Sequence, residues 1–223
     1  MNRPNILYED NHIIVAVKPR NMPSQADSSG DMDFLSGVRE YVRVTYNKPG
    51  KAYLGLVHRL DRPAGGVMVF ARTSKAAARL AGQMRRHTFE KDYLVVTRAG
   101  IPKAGTLKDW LLKDSAANRT RVAKEGEAGA KYAELSYRVA GEKEGLALLK
   151  IRLVTGRSHQ IRVQLSHMGA PLVGDVKYGG SKNDTLCLWA WGVRFLHPTR
   201  QTKMEFYYPP PAVYPWNLFG IVQ

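Results

Sequence analysis

The sequence predicts an α+β fold, and two observations predict it. Apolar residues recur at helix spacing over 34–42 and again over 74–86, both in the first half of the chain. Strand-like runs then follow one another at 107–112, 119–123, 131–139 and 146–153, separated only by Gly and charged turns. Consecutive strands with short connections pair antiparallel. Helices early and strands later favour α+β over alternating α/β.

Each element has a local reason. Ile6–Tyr8 and Ile13–Val17 flank the polar Glu9-Asp10-Asn11-His12, which reads as a hairpin that Lys18-Pro19 ends. Residues 20–32 are polar and Gly/Ser-rich, a loop. Phe34, Leu35, Val38, Tyr41 and Val42 form the stripe of a helix, with Asp31 or Asp33 as its N-cap. Leu54–Val57 and Val67–Ala71 read as strands around the turn Pro63-Ala64-Gly65-Gly66. Thr73 or Ser74 caps a second helix that runs to about Arg86, with Ala76, Ala77, Leu80 and Met84 on its apolar face. Lys75, Arg79, Arg85 and Arg86 make its other face basic, either merely solvated or in contact with phosphate. Glu90–Thr97 is a β-branched strand that puts Tyr93, Val95 and Thr97 on one face. After the turn Thr155-Gly156-Arg157, Ser158 fits an N-cap, Ile161, Leu165 and Met168 form a helix face, and Gly169 with Pro171 stops the helix.

Composition narrows the function. Against 19 Asp and Glu stand 34 Lys and Arg, a net charge of +15. Such an excess costs self-repulsion unless a polyanion uses it, so nucleic acid is the leading partner. A basic membrane-surface protein is the alternative, but no apolar segment approaches the ~20 residues of a span and no Lys-rich amphipathic helix appears. The single Cys187 forms no internal disulfide, which suits reducing cytosol. The N-terminus MNRPNILYED has neither a secretory core nor transit-peptide character, so a cytoplasmic location is expected. At 223 residues the chain makes one large domain or two small ones.

The chemistry-bearing residues centre on His58-Arg59-Leu60-Asp61. Asp61 falls at a strand end, between Arg59 and Arg62, where adjacent positive charge favours the ionised carboxylate. That is a poised nucleophile or base, although an Asp that merely caps a turn leaves the same tetrapeptide. Tyr93 taken alone reads as a half-buried strand tyrosine. If its strand borders the Asp61 loop, its ring can stack on a base and its hydroxyl can pass a proton. His159 and Arg162 share a helix face at i and i+3. Arg157, His159, Gln160 and Arg162 around a helix N-terminus suit phosphate contact or a carboxylate counter-charge. His159 and His167 have no Cys or carboxylate at ligand spacing, so no metal site is expected.

HRLD at 58–61, the Lys91-x-Tyr93 strand, and TGRSHQIR at 155–162 followed by VGDVKYG at 173–179 together resemble the RluA-type pseudouridine synthases in order and spacing. The resemblance runs from IIVAVKP through LCLWAWGVRFLHP to MEF at 204–206. It implies a mixed, largely antiparallel central sheet flanked by helices, the pseudouridine synthase fold, with RNA across a basic cleft. It also implies a reaction that cleaves the N1 to C1′ bond of a uridine, turns the uracil and rejoins it through C5, with no cofactor and no metal. By position Asp61 matches the catalytic aspartate, Tyr93 the active-site tyrosine and Arg162 the basic residue paired with the aspartate. Asp61 acts as nucleophile on C1′ or on the base, or as a base at C2′. Arg59 matches the residue that supports the extruded nucleotide and Leu188 the apolar residue lining the uracil pocket. His58, Arg62, Lys91, Arg157 and His159 complete the expected substrate-binding set.

The expected partner is rRNA or tRNA, the chain a monomer without a protein partner. Residues 1–223 are expected to be a single catalytic domain, with no separate N-terminal S4-like RNA-binding domain. Two departures bear on RNA choice: Pro63-Ala64-Gly65-Gly66 stands where many members have Asp-Thr-Ser-Gly, and Trp189 where His is common. Two other function classes compete with this reading. A noncatalytic RNA-binding protein would need only the charge. A metal-dependent nuclease needs clustered acids, and here they are scattered.

Overall fold

Asp10 makes the first turn of the chain. Its Oδ1 accepts hydrogen bonds from the N–H groups of His12 (2.8 Å) and Ile13 (2.9 Å), closing the hairpin of β1 (Asn5–Glu9) and β2 (Ile13–Lys18). The computed structural model describes residues 3–47, 49–50, 52–181 and 185–221. Its architecture is α+β, with a mixed, mostly antiparallel strand arrangement flanked by three helices. The chain divides into two compact units, Met1–Lys91 with Ala190–Pro209 and Asp92–Trp189 with Pro210–Gln223.

In the first unit the strand order is β1, β2, β4 (Gly65–Ala71), β10 (Leu188–Leu196). The two-residue β3 (Gly55–Leu56) pairs with β4, and β11 (Lys203–Tyr207) with β10. β2 and β4 pair antiparallel from Ile13 opposite Ala71 to Lys18 opposite Gly66. Every residue of both strands is buried, because helices cover both faces. α1 (Phe34–Thr45) packs Phe34 on Phe70 at 5.6 Å, while α2 (Ser74–Arg85) puts Ala76 and Leu80 against Ile13, Val15, Val67 and Val69 on the other side. The helix starts follow the caps offered by sequence. Asp33 Oδ1 accepts from Ser36 N–H (2.9 Å) and Thr73 Oγ1 from Ala76 N–H (3.1 Å). The strand expected over Leu54–Val57 shrinks to β3, because only Gly55 and Leu56 find partners on β4.

In the second unit the order is β5 (Glu90–Arg98), β9 (Leu146–Leu153), β8 (Lys131–Lys143), β6 (Ala104–Asp114), β7 (Arg119–Ala123), with β5 starting in the first unit. The β7–β6–β8–β9 pairings are all antiparallel. α3 (Gln160–His167) lies on one face of β6 and β8, where Val163 and Tyr178 join Leu111 and Ala133 in the core. Its start departs from expectation. The N-cap is His159, in left-handed conformation (φ 52°), and Ser158 does not cap. The reason is Gln160. Its Oε1 accepts from Arg157 N–H (3.0 Å) and Thr155 Oγ1 (2.8 Å), and its Nε2 donates to Glu134 O (3.0 Å), so the turn is satisfied from within the helix.

Gly66 is the position where β4 admits only glycine. Its φ is +122°, and a Cβ there would lie 2.2 Å from the carbonyl oxygen of Ala190 on β10. Gly66→Ala should therefore lower the unfolding free energy by more than about 2 kcal/mol, read from urea titration. An unchanged midpoint would mean that β4 and β10 are not held at this distance.

Candidate active site

Asp61 sits in a turn whose backbone is fixed on both sides by groups distant in sequence. The turn closes through Ala64 N–H to Asp61 O (3.0 Å). Before it, the Ser24 hydroxyl donates to Leu60 O (2.8 Å) and accepts from Leu60 N–H (3.0 Å). After it, Lys18 Nζ donates to Arg62 O (3.2 Å), and also to Pro19 O (2.9 Å) and Met22 O (2.6 Å). Lys18 ends β2 with 0% of its surface exposed. Burial pushes its ammonium down to about 7, opposed by the Asp61 carboxylate and reinforced by Arg62. Asp61 thus faces a buried cation that strand patterning does not announce.

The flanking arginines divide their roles. Arg62 is exposed and turns away to Asp31, with Nη1 donating to Ser29 Oγ (3.1 Å) and Nη2 paired to the Asp31 carboxylate. Arg59 is exposed and makes no hydrogen bond or ion pair among the described residues. Arg62, expected beside Asp61 from its place in the chain, pairs with Asp31. A carboxylate within reach in the 20–32 loop captures it.

His58 turns inward. Its Nε2 accepts from Val69 N–H on β4 (3.1 Å), its ring lies 5.7 Å from Phe89, and its buried Nδ1 has no partner. Burial, with the positive charge of Lys91 second, pushes the imidazole down to about 3. Lys91, at the start of β5, is itself pushed down by burial. His58 is thus an inward-facing part of the HRLD segment, and the Lys91 charge acts on it within the first unit.

In the second unit Tyr93 on β5 and Leu188 on β10 are buried, at 7% and 5% exposure. Arg162 is buried on α3 and grips Asp175 with two parallel bonds, Nε to Oδ2 (2.8 Å) and Nη2 to Oδ1 (2.7 Å). Its guanidinium stands 5.1 Å over the ring of Tyr178. The Tyr178 hydroxyl accepts from Thr120 N–H (2.8 Å) and meets His159 Nδ1 at 2.8 Å, so Tyr178 contacts both residues of the α3 face. Arg157 is exposed, its Nε donating to Tyr132 O (2.8 Å). Asp175 is fixed by its own loop: Gly180 N–H donates to its carbonyl (2.7 Å), and a Cβ on Gly180 would lie 2.4 Å from its nitrogen. Lys18, Ser24, Asp175 and Tyr178 were not singled out from sequence. The available signals were a lysine ending an all-apolar strand and an acid inside VGDVKYG. Among the described residues, no three His, Cys, Asp or Glu side chains are grouped to hold a metal ion. No helix there is long and apolar enough to cross a membrane.

A sequence model of the RNA pseudouridylate synthase family matches residues 12–167. The chain belongs to this family. The synthase is 31% identical over 212 residues to the uncharacterized RNA pseudouridine synthase YhcT of Bacillus subtilis (strain 168), a match covering 93% of this chain and 69% of YhcT. It is 32% identical over 226 residues to the ribosomal large subunit pseudouridine synthase D of Escherichia coli O6:H1, covering 93% of this chain and 67% of that relative. Among solved structures, human RNA pseudouridylate synthase domain containing 4 superposes with a TM-score of 0.76 at 23% identity, over 93% of this chain and 88% of that one, a likeness of fold. The synthase is accordingly an isomerase that converts uridine in RNA to pseudouridine.

Two stability measurements test this geometry. The folded His58 pKa of about 3 lies below its ordinary 6.5, so the unfolded chain takes up the proton first as pH falls. The contribution is complete above pH 6.5 and is lost as pH falls toward 3. Unfolding free energy should drop by up to about 1.4 kcal/mol per pH unit on this account, and His58→Gln should flatten the slope in urea titrations. Equal slopes would place the titration elsewhere. Asp175→Ala strands a buried guanidinium and should cost about 3–5 kcal/mol by the same method. A loss below about 1 kcal/mol would mean that solvent or another carboxylate takes over the pairing.

Proposed function

We propose that this synthase acts on large-subunit ribosomal RNA and that Asp61 is the carboxylate performing the isomerisation. The observation that carries the assignment is the placement of Asp61 on a turn locked by Ser24 and Lys18, beside an exposed Arg59 with no internal partner among the described residues. The RNA class is supported by the names of relatives such as the large-subunit synthases C and D. Tyr93 serves the same reaction as a stacking ring and proton-passing hydroxyl. Arg162 supplies positive charge. Arg59 supports the extruded nucleotide, Leu188 lines the uracil pocket, and His58, Arg62, Lys91, Arg157 and His159 shape the surrounding substrate site.

Breaking N1 to C1′ and forming C5 to C1′, with the C5 proton lost and N1 protonated, leaves the oxidation state unchanged, so the reaction needs no redox cofactor. A uridine inside a stem must first be flipped out at a cost of a few kcal/mol, which Tyr93 stacking and Arg59 insertion offset. Residues 1–223 act as one catalytic domain, monomeric and cytoplasmic.

The test is Asp61→Asn. It preserves shape while removing charge and nucleophilicity, so conversion should fall at least about a thousandfold, about 4 kcal/mol in barrier height. RNA binding should stay within a small factor or tighten slightly, since one negative charge leaves a site facing phosphates. Near wild-type conversion would remove Asp61 from the chemistry. Pseudouridine mapping of ribosomal and transfer RNA, with and without the gene, identifies the substrate. Arg162→Met is a poorer probe of the reaction, because it also leaves the buried Asp175 unpaired.

A further inference from the structure

The sheet of the second unit has one covered face and one open face. On β6 and β8 the odd-numbered residues Leu111 and Ala133 lie under α3, and Asp109 Oδ2 accepts from Gln164 Nε2 of that helix (2.7 Å). Side chains alternate along a strand, so the even-numbered residues point the other way. There Trp110 sits directly opposite Tyr132 in the β6–β8 register, with ring centroids 6.0 Å apart at 69°. Lys108 lies opposite Glu134, and Arg138 opposite Lys150 of β9, on that same face.

An antiparallel sheet with one solvated face ordinarily presents polar residues there. This face instead carries an indole and a phenol side by side, with Tyr132 37% exposed. The Tyr132 ring is held in place, its hydroxyl donating to Glu134 Oε2 at 2.5 Å. Lys108 and Arg138 are exposed and form no ion pair among the described residues, the Glu134 carboxylate opposite Lys108 accepting instead from the Tyr132 hydroxyl. Adjacent aromatic rings set edge to face, with exposed cations alongside, fit unpaired bases on a phosphate backbone.

We propose that Trp110 and Tyr132 form a stacking platform for unpaired bases of the RNA substrate, with Lys108 and Arg138 on its phosphates. The proposal rests on the RNA pseudouridine synthase reading and adds a binding surface on the β6–β8 sheet face, outside the residues assigned to the reaction. The platform extends the substrate footprint to unpaired segments of the RNA.

The experiment measures binding of fluorescein-labelled dodecauridine by anisotropy, and turnover on a large-subunit ribosomal RNA transcript. Trp110→Ala and Tyr132→Ala should each weaken dodecauridine binding at least about fivefold and raise KM on the transcript more than they lower kcat. Trp110→Phe, which keeps a π-face, should restore most of the affinity, whereas Trp110→Leu, which keeps only apolar bulk, should not. Circular dichroism and the urea midpoint check folding. Should an alanine variant fail to fold, the Phe and Leu variants carry the comparison. Wild-type affinity in all variants overturns the platform, as it would if the face holds an acidic protein segment. Equal affinity for Phe and Leu also overturns it, since stacking is then irrelevant. If the wild-type enzyme forms no pseudouridine on any RNA, the enzyme reading fails, an outcome separable from all of these.

Discussion

A fully buried ammonium holds the Asp61 turn. Lys18 ends a strand whose other residues are all apolar, and its Nζ reaches three carbonyls, two in the loop that follows and one on Arg62. Desolvating a cation is unfavourable by several kcal/mol, so the site persists only because these acceptors and the Asp61 charge offset most of it. Three carbonyls suit an ammonium, which has three donors around one compact charge. A guanidinium is planar and longer and would not converge on them. The bonds join segments 44 residues apart, Lys18 and Arg62, while Ser24 joins Leu60 across 36. A turn between such anchors keeps its backbone in place without a large rigid element of its own.

The second unit solves the corresponding problem with a pair rather than a lone charge. Arg162 and Asp175 are both nearly inaccessible, with side chains 7% and 0% exposed, and their two parallel bonds fix the guanidinium plane. A buried pair adds little net stability compared with apolar residues of equal volume, yet breaking it is costly. Its value here is orientation. Tyr178 extends the same arrangement, touching Arg162 through its ring and His159 through its hydroxyl. His159 reaches that hydroxyl because it adopts a left-handed conformation at the helix start, where a residue with helical backbone would point elsewhere.

What could be read from the sequence divides along the distance of the interactions. Caps Asp33 and Thr73, the all-apolar β4 and the run of antiparallel strands depend on neighbours a few residues away, and local pattern reports such neighbours. HRLD and TGRSHQIR were legible as motifs. The partners that fix them were not: Lys18 with Arg62, Ser24 with Leu60 and Arg162 with Asp175 are tertiary contacts between segments with no shared periodicity. Ser158 shows local chemistry losing to a tertiary bond, since Gln160 already satisfies the turn and ties it to Glu134 on β8. Arg62 shows sequence adjacency misleading in the same way. Its neighbour in the chain is Asp61, but its partner in space is Asp31.

The same sorting applies to the net charge of +15. Charge count alone does not give binding capacity, because several cations are already committed inside the fold. Arg162 is locked to Asp175 and Arg194 to Glu90, Arg200 serves Asp10, and Lys18 is buried among carbonyls. Neutralising such groups with phosphate would require breaking internal bonds. Counterion release on RNA binding is available to the exposed cations without an internal anion, which include Arg59 beside the Asp61 turn and Lys108 and Arg138 on the open sheet face. The electrostatic footprint of the substrate is therefore set by which arginines and lysines the fold leaves unpaired, and the sequence conceals that choice because paired and unpaired cations are the same residue types.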